Sequence, residues 1–170
     1  MEIREQLPEF GTKRENEERR DGGCAIVFDP ETKLYGVGKH VTNGEVRLWL
    51  FSGGVADDED IQDGVLREVV EESGLHDFSH VEKLGEAITH YYNVLKKVNR
   101  VGSATCFLVI LKSKNLVETK LEEHETFKLA WVTADELLSN WNSHNQNGDG
   151  DHWIYFMNIA IRRVKELGYA

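Results

Sequence analysis

Apolar residues along this chain gather into short strand-like runs, interrupted once by helical spacing and followed by two more helical stretches. Gly22 to Asp29 (GGCAIVFD) is a nearly unbroken apolar run, the pattern of a buried strand, and Asp29-Pro30-Glu31-Thr32 closes it with a turn. Leu34 to Val41 reads as a second strand. Asn43-Gly44 then predicts a hairpin, because both residue types tolerate positive φ, and Val46 to Phe51 returns as an alternating strand. Farther on, Val81 to Tyr92 and Val101 to Leu111 are strand-like and are separated by the polar excursion Asn93 to Arg100. Phe127 to Val132 is a further strand.

The helical positions are as legible. Between Gly53 and Leu75, Leu66, Val69 and Val70 fall on one side of a short helix, and Gly74 suits its C-cap. Thr133 with Glu136 has the spacing of a capping box and opens a helix to about Trp141. A Gly/Asn/Asp loop follows from Asn142 to Asp151, and His152 to Leu167 forms a closing helix. Strand-rich halves split by one helix, then two further helices, predict an α/β fold with a mixed β-sheet between helices. Residues 1–21 are mostly polar. Their pattern leaves open a frayed N-terminal arm, a short helix or part of a homodimer contact, and residues 22–170 form the predicted domain.

Charge narrows the function classes. Against 30 Asp and Glu there are 20 Lys and Arg, a net charge of −10. That balance argues against nucleic acid held by phosphate electrostatics. Small anions remain admissible where metal ions and a few local basic residues reverse the potential. Cys24 and Cys106 each lie in an apolar run and read as buried free thiols of a reducing compartment. No apolar run approaches the length of a membrane span, and the charged start has no signal-peptide core, so the expected location is cytoplasmic with no membrane partner.

The chemistry concentrates in GGVADDEDIQDGVLREVVEESGL, residues 53–75. Glu68 and Glu72 stand one helical turn apart with Glu71 beside them, so three carboxylates are expected on one exposed face. Like charges at such spacing destabilise a helix unless something neutralises them. A hard divalent cation such as Mg²⁺ does so, since it takes oxygen ligands and is usually shared with substrate phosphates. Arg67 and Glu71 are at i,i+4, so the guanidinium can steer that carboxylate, and Glu59 is placed to reach the same group. Asp57, Asp58 and Asp60 precede the helix, where its dipole favours acid.

Gly53, Glu59, Arg67-Glu68-Val69, Glu71-Glu72 and Gly74-Leu75, at these intervals, resemble the Nudix box at all nine of its defining positions. A chance match has a probability of about 10⁻⁹ per starting position. The box covers 23 of 170 residues, and the order of strands and helices from about Gly22 onward is similar to the family's. Where family boxes often place a proline before the glycine pair, this chain has Ser52, and the loop Val55 to Asp58 is slightly shortened.

The resemblance implies a Nudix-like α/β/α sandwich and a hydrolase that cleaves a pyrophosphate bond in a nucleoside diphosphate linked to another moiety. It implies Mg²⁺, with Mn²⁺ as a substitute, held by Glu68, Glu71, Glu72 and the carbonyl of Gly53 or Gly54. Arg67 orients the carboxylates, and water attacks phosphorus without a Ser or Cys nucleophile. The resemblance also implies an extra Glu just before the strand that holds Trp131, which is Glu125 or else Glu122 or Glu123, and the expected general base is Glu125, or else the box residue Glu68. ADP-ribose, nucleotide sugars and nucleoside triphosphates are alternative substrates. A catalytically inactive ligand-sensing domain is the non-enzymatic alternative, and an isoprenoid diphosphate isomerase would need a Cys and Glu pair that has no evident place here.

Tyr91 and Tyr92 follow the box at a distance similar to that of a tyrosine in the family's dinucleoside polyphosphate hydrolases, and Lys96, Lys97 and Arg100 follow them. Alternation along a strand predicts that one tyrosine packs in the core while the other lines a cleft. A tyrosine face stacks on a base, and the cations suit a long phosphate chain. Other motifs carry less. Asn145, Asn147, Asp149 and Gly150 mimic the start of an EF-hand loop, but its twelfth position is Phe156 rather than Glu. Gly36-x-Gly38 lacks the third glycine of a dinucleotide fingerprint, and His124 sits in an acidic loop cluster.

Overall fold

The apolar run at residues 22–29 becomes the centre of a sheet covered on both faces, which is why it reads as continuous rather than alternating. The computed structural model describes residues 6–122, 126–144, 148 and 150–169. In chain order the elements are β1 (Glu9–Phe10), β2 (Glu18–Arg19), β3 (Gly22–Asp29), β4 (Leu34–Thr42), β5 (Glu45–Trp49), β6 (Phe51–Gly54), α1 (Ile61–Ser73), β7 (Phe78–Asn93), β8 (Val98–Leu111), β9 (Lys128–Val132), α2 (Ala134–His144) and α3 (Asp151–Glu166). Strands β1, β7, β8, β3, β4 and β5 lie side by side in that order, with β3 parallel to β8 and antiparallel to β4.

Alternation along β3 and β8 sorts the core into two layers. Cys24, Ile26 and Phe28, with Cys106, Leu108 and Ile110, pack under Leu137 and Trp141 of α2 and Phe156, Met157, Ala160 and Val164 of α3. Ala25, Val27, Phe107, Val109 and Leu111 face the other way, onto Val65 and Val69 of α1. The result is the expected α/β/α sandwich with a mixed sheet. Cys24 and Cys106 are register partners on adjacent strands, free and buried, and burial pushes the Cys106 thiol well above its ordinary range.

Local signals act as their chemistry dictates. Asn43 and Gly44 adopt φ of 52° and 77°, the left-handed pair of a tight hairpin turn. The Asp60 side chain accepts from the Asp63 N–H at 3.2 Å, and Gly74 at φ 81° ends α1. Thr133 and Glu136 make the reciprocal capping box: Thr133 N–H donates to Glu136 at 2.7 Å, and Glu136 N–H donates to the Thr133 hydroxyl at 3.1 Å.

Three expectations change. The strand predicted over 46–51 is two strands, because the chain switches partners at Leu50: β5 pairs with β4, and β6 pairs with β3. α2 holds the far edge of β5. Asn140 bonds Val46 C=O and Leu48 N–H at 2.7 and 3.1 Å, and Trp141 Nε1 donates to Leu48 C=O at 2.8 Å. The polar excursion 93–100 is half ladder, since β7 runs to Asn93, β8 resumes at Val98 and residues 94–97 form the turn between them. Its polarity marks an exposed hairpin tip whose flanking residues stay paired. The N-terminal segment is seated on the sheet, with β1 parallel to β7 and β2 parallel to β8.

Candidate active site

Helix α1 and strand β6 build the floor of the site. Positions 65, 69 and 72 are four and seven residues apart, so they fall on one stripe of a helix with 3.6 residues per turn. Val65 and Val69 are buried on that stripe, and Glu72 goes with them at 5% exposure. Its Oε1 accepts the Ser52 N–H at 3.1 Å. This corrects the expectation of three carboxylates on one exposed face: Glu72 lies beneath β6, while Glu68 and Glu71 have side chains 19% and 33% exposed. It also moves the apolar stripe, for Leu66 and Val70 are only half-buried and Val65 takes the core position.

Arg67 ties the carboxylates together. Its Nε and Nη2 grip both oxygens of Glu59 at 3.0 Å each, and Nη1 donates to Glu68 at 3.1 Å and to Glu71 at 3.3 Å. The two-pronged hydrogen bond to Glu59 is the main reason that the guanidinium is held even more firmly protonated than usual, and it lowers the Glu59 pKa in return. Absent side chains make room. A Cβ on Gly64 would stand 2.8 Å from the Glu59 carboxylate, and one on Gly53 would stand 2.6 Å from that of Glu68. Gly53 backbone and Glu68 carboxylate are therefore in close approach.

Among the described residues, no three Asp, Glu, His or Cys side chains form a ready-made ion cage. The donor chemistry nevertheless fits a hard dication. Glu68 and Glu71 already converge on one cationic point, Nη1 of Arg67, and every nearby donor is oxygen.

Above this floor opens a cleft of about 990 Å³, with Glu68, Arg67 and Gly53 in its lining. Five of its lining residues are Lys or Arg (Arg20, Arg47, Arg67, Lys96, Arg100) against three acids (Asp21, Glu68, Glu122), the reverse of the chain's overall balance. Three of the five are ion-paired, Arg47 with Glu45, Arg67 with Glu59, Glu68 and Glu71, and Arg100 with Glu18, so the positive excess that a polyanion would meet rests chiefly on Arg20 and Lys96. Both Tyr91 and Tyr92 line the cleft, contrary to the expected core-and-cleft split, and Tyr92 is 45% exposed. They lie near the hairpin tip, where neither is fully covered. Lys96 and Arg100 line it too. Lys97 is in the turn at φ 55° and is not part of the lining. Arg100 is tied to Glu18 of the N-terminal segment at 3.1 Å.

Two features escaped the sequence reading. Arg20 lies so close to the Gly54 backbone that a Cβ there would meet its guanidinium at 2.3 Å. Trp49 and Trp153 form an aromatic wall of the cleft. The one available signal for Trp49 was its outward position on an edge strand, two residues after Arg47. Glu125, with Glu123 and His124, lies outside the described residues, as do Asn145, Asn147 and Asp149 of the EF-hand look-alike; Glu122 is described and lines the cleft.

The NUDIX domain model matches residues 18–154. The chain belongs to the Nudix family. Its fold is shared with a NUDIX hydrolase from Nitrosomonas europaea, at TM-score 0.58 and 19% identity over 84% of this chain and 88% of that one. The NUDIX domain of Shewanella oneidensis NrtR, solved with ADP ribose, overlays at TM-score 0.60 and 13% identity over 87% and 90% of the two chains. A MutT protein from Methanosarcina mazei Go1 overlays at 0.54 and 18% identity over 90% and 98%. No curated protein matches the chain. Among the described residues no helix is long and apolar enough to cross a membrane.

Proposed function

We propose that this Nudix protein is a divalent-metal-dependent hydrolase of a pyrophosphate bond in a nucleoside diphosphate derivative, with dinucleoside polyphosphates as the favoured substrates. The observation that carries the reading is the Arg67-clamped pair Glu68 and Glu71 against Gly53, on the floor of a cleft lined by more Lys and Arg than Asp and Glu in an acidic protein. Glu68, Glu71, Glu72 and the Gly53 carbonyl would hold Mg²⁺ or Mn²⁺. When bound, the cation supplies charge neutralisation at the diphosphate and a lowered water pKa.

The chain's own groups do the rest. Arg67 fixes the carboxylates of Glu59, Glu68 and Glu71 relative to one another, so little rearrangement remains when substrate arrives. The Ser52 N–H orients Glu72. Lys96 and Arg100 attract the distal phosphates, and Tyr91 or Tyr92 offers a ring face to a base. The proton of the attacking water goes to a carboxylate, a role given to Glu125, which lies outside the described residues, with Glu68 and Glu122 of the cleft lining as the alternatives.

The test is a panel of diadenosine polyphosphates, ADP-ribose, NADH, nucleotide sugars and nucleoside triphosphates with Mg²⁺, products being identified by mass. Diadenosine polyphosphates are expected to be cleaved at least as efficiently as ADP-ribose, the ligand of the Shewanella domain. A kcat/KM for ADP-ribose more than about tenfold higher, a difference of ~1.4 kcal/mol, would transfer the assignment to that substrate.

A further inference from the structure

An exposed tryptophan is costly to leave in water unless something covers it, and Trp49 is 45% exposed at the cleft wall. It is also rigidly backed. Trp153 of α3 meets it edge-on, with ring centroids 6.4 Å apart and planes at 76°. Trp153 in turn packs against Trp141 at 5.4 Å and His152 at 5.9 Å. Trp141 is 6% exposed and is pinned by its hydrogen bond to Leu48 C=O. Such a wall presents a large flat face without the ordering cost of a mobile side chain.

Its neighbours indicate what the face takes. The same cleft runs from Trp49 to Glu68, with Arg20 and Arg47 also lining it. A ligand that covers an indole and continues into an arginine-lined channel ending at carboxylates is a flat ring joined to phosphates. We infer that Trp49, backed by Trp153, is a nucleobase subsite that stacks one base of the substrate at the wall formed by β5 and α3. The inference rests on the phosphoanhydride hydrolase reading and sharpens it. With the tyrosines of β7 offering further ring faces, the cleft has aromatic platforms on separate elements, the arrangement that a ligand bearing two bases needs.

Calorimetric titration of the full chain with AMP, and with ribose 5-phosphate as the base-free control, tests the subsite. Base stacking on an aromatic ring corresponds to about fivefold to a hundredfold in affinity. Trp49→Ala is expected to weaken AMP binding by that factor and to leave ribose 5-phosphate unchanged, while Trp49→Phe stays within about threefold of wild type. With a turned-over dinucleotide, Trp49→Ala should raise KM and leave kcat within about twofold, because uniform binding is lost.

Equal AMP affinity in wild type and Trp49→Ala would overturn the inference while leaving a hydrolase that still cleaves nucleotides. So would a wild-type dimer that Trp49→Ala converts to monomers, since a second copy would then cover the indole. AMP binding that depends on Trp49, in a protein that cleaves no phosphoanhydride, would uphold the subsite and remove the hydrolase reading.

Discussion

Replacing Gly53 by alanine separates fold from chemistry. The added Cβ would lie 2.6 Å from Cδ and Oε1 of Glu68 and 2.8 Å from its Cγ, where ordinary contact begins at 3.4 Å. The carboxylate must therefore retreat by about 1 Å, a displacement near a reacting centre that costs on the order of 100-fold in rate, or ~2.7 kcal/mol. Stability should change little. Glu68 is a flexible side chain with a partly open flank, and the ion pair that it loosens is worth up to about 1 kcal/mol. In a domain of this size that is a Tm shift of roughly 2–4 °C. The assay is kcat/KM on the best substrate beside a thermal melt. A Gly53→Ala variant that melts normally and keeps kcat/KM within about fivefold of wild type would show that the approach of Gly53 to Glu68 has no part in catalysis.

Arg67→Ala should lower kcat/KM by about 100-fold or more, because Glu59, Glu68 and Glu71 lose their common anchor, yet cost only about 1 kcal/mol in urea unfolding, since the guanidinium is 40% exposed. Leu75→Ala, at a fully buried position, should cost about 2–5 kcal/mol in the same measurement. His90 is buried between Glu9 and Glu17; burial opposes its charge, but the two carboxylates outweigh that and raise its pKa above the ordinary 6.5. For Glu17, burial works toward a higher value but the His90 bond prevails and holds it below 4.5. The His90 contribution is complete below pH 6.5 and fades as pH rises through the raised value, while that of Glu17 is complete above pH 4.5 and fades as pH falls. His90→Gln should therefore lower the urea midpoint most between about pH 4.5 and 6.5 and progressively less toward alkaline pH; a difference that grew with pH would contradict the sign.

How much could be read in advance depends on whether the signal is local. The Asn43-Gly44 turn, the Thr133 capping box and the Asp60 and Gly74 caps each depend on neighbouring residues alone, and each formed. The buried runs of β3 and β8 located the core because a sheet covered on both faces leaves few polar positions in the middle of its central strands. What escaped was set by tertiary partners. Glu72 belongs to the Val65 and Val69 stripe by helical geometry, but burial of a carboxylate there depends on partners such as the Ser52 N–H, which is distant in sequence. The polar residues of the β7–β8 tip hid a ladder, because polarity reports exposure to solvent and not the absence of hydrogen bonds. The N-terminal segment has too few apolar positions to announce a strand, and its pairing relies on backbone bonds such as Arg20 N–H to Val101 C=O at 2.9 Å. Trp49 signalled only an outward position on an edge strand, because its place at the cleft wall depends on a ring contact with Trp153, a residue distant in sequence.

The most direct test of the central claim is hydrolysis of diadenosine tetraphosphate in ¹⁸O-water, followed by ³¹P NMR and mass spectrometry, with Mg²⁺ and with excess chelator. The account predicts that label enters a phosphate of one product, that cleavage stops without the metal, and that Glu68→Gln and Glu71→Gln stop it in the same way. Label-free phosphates, metal-independent cleavage, or full turnover by both variants would contradict it.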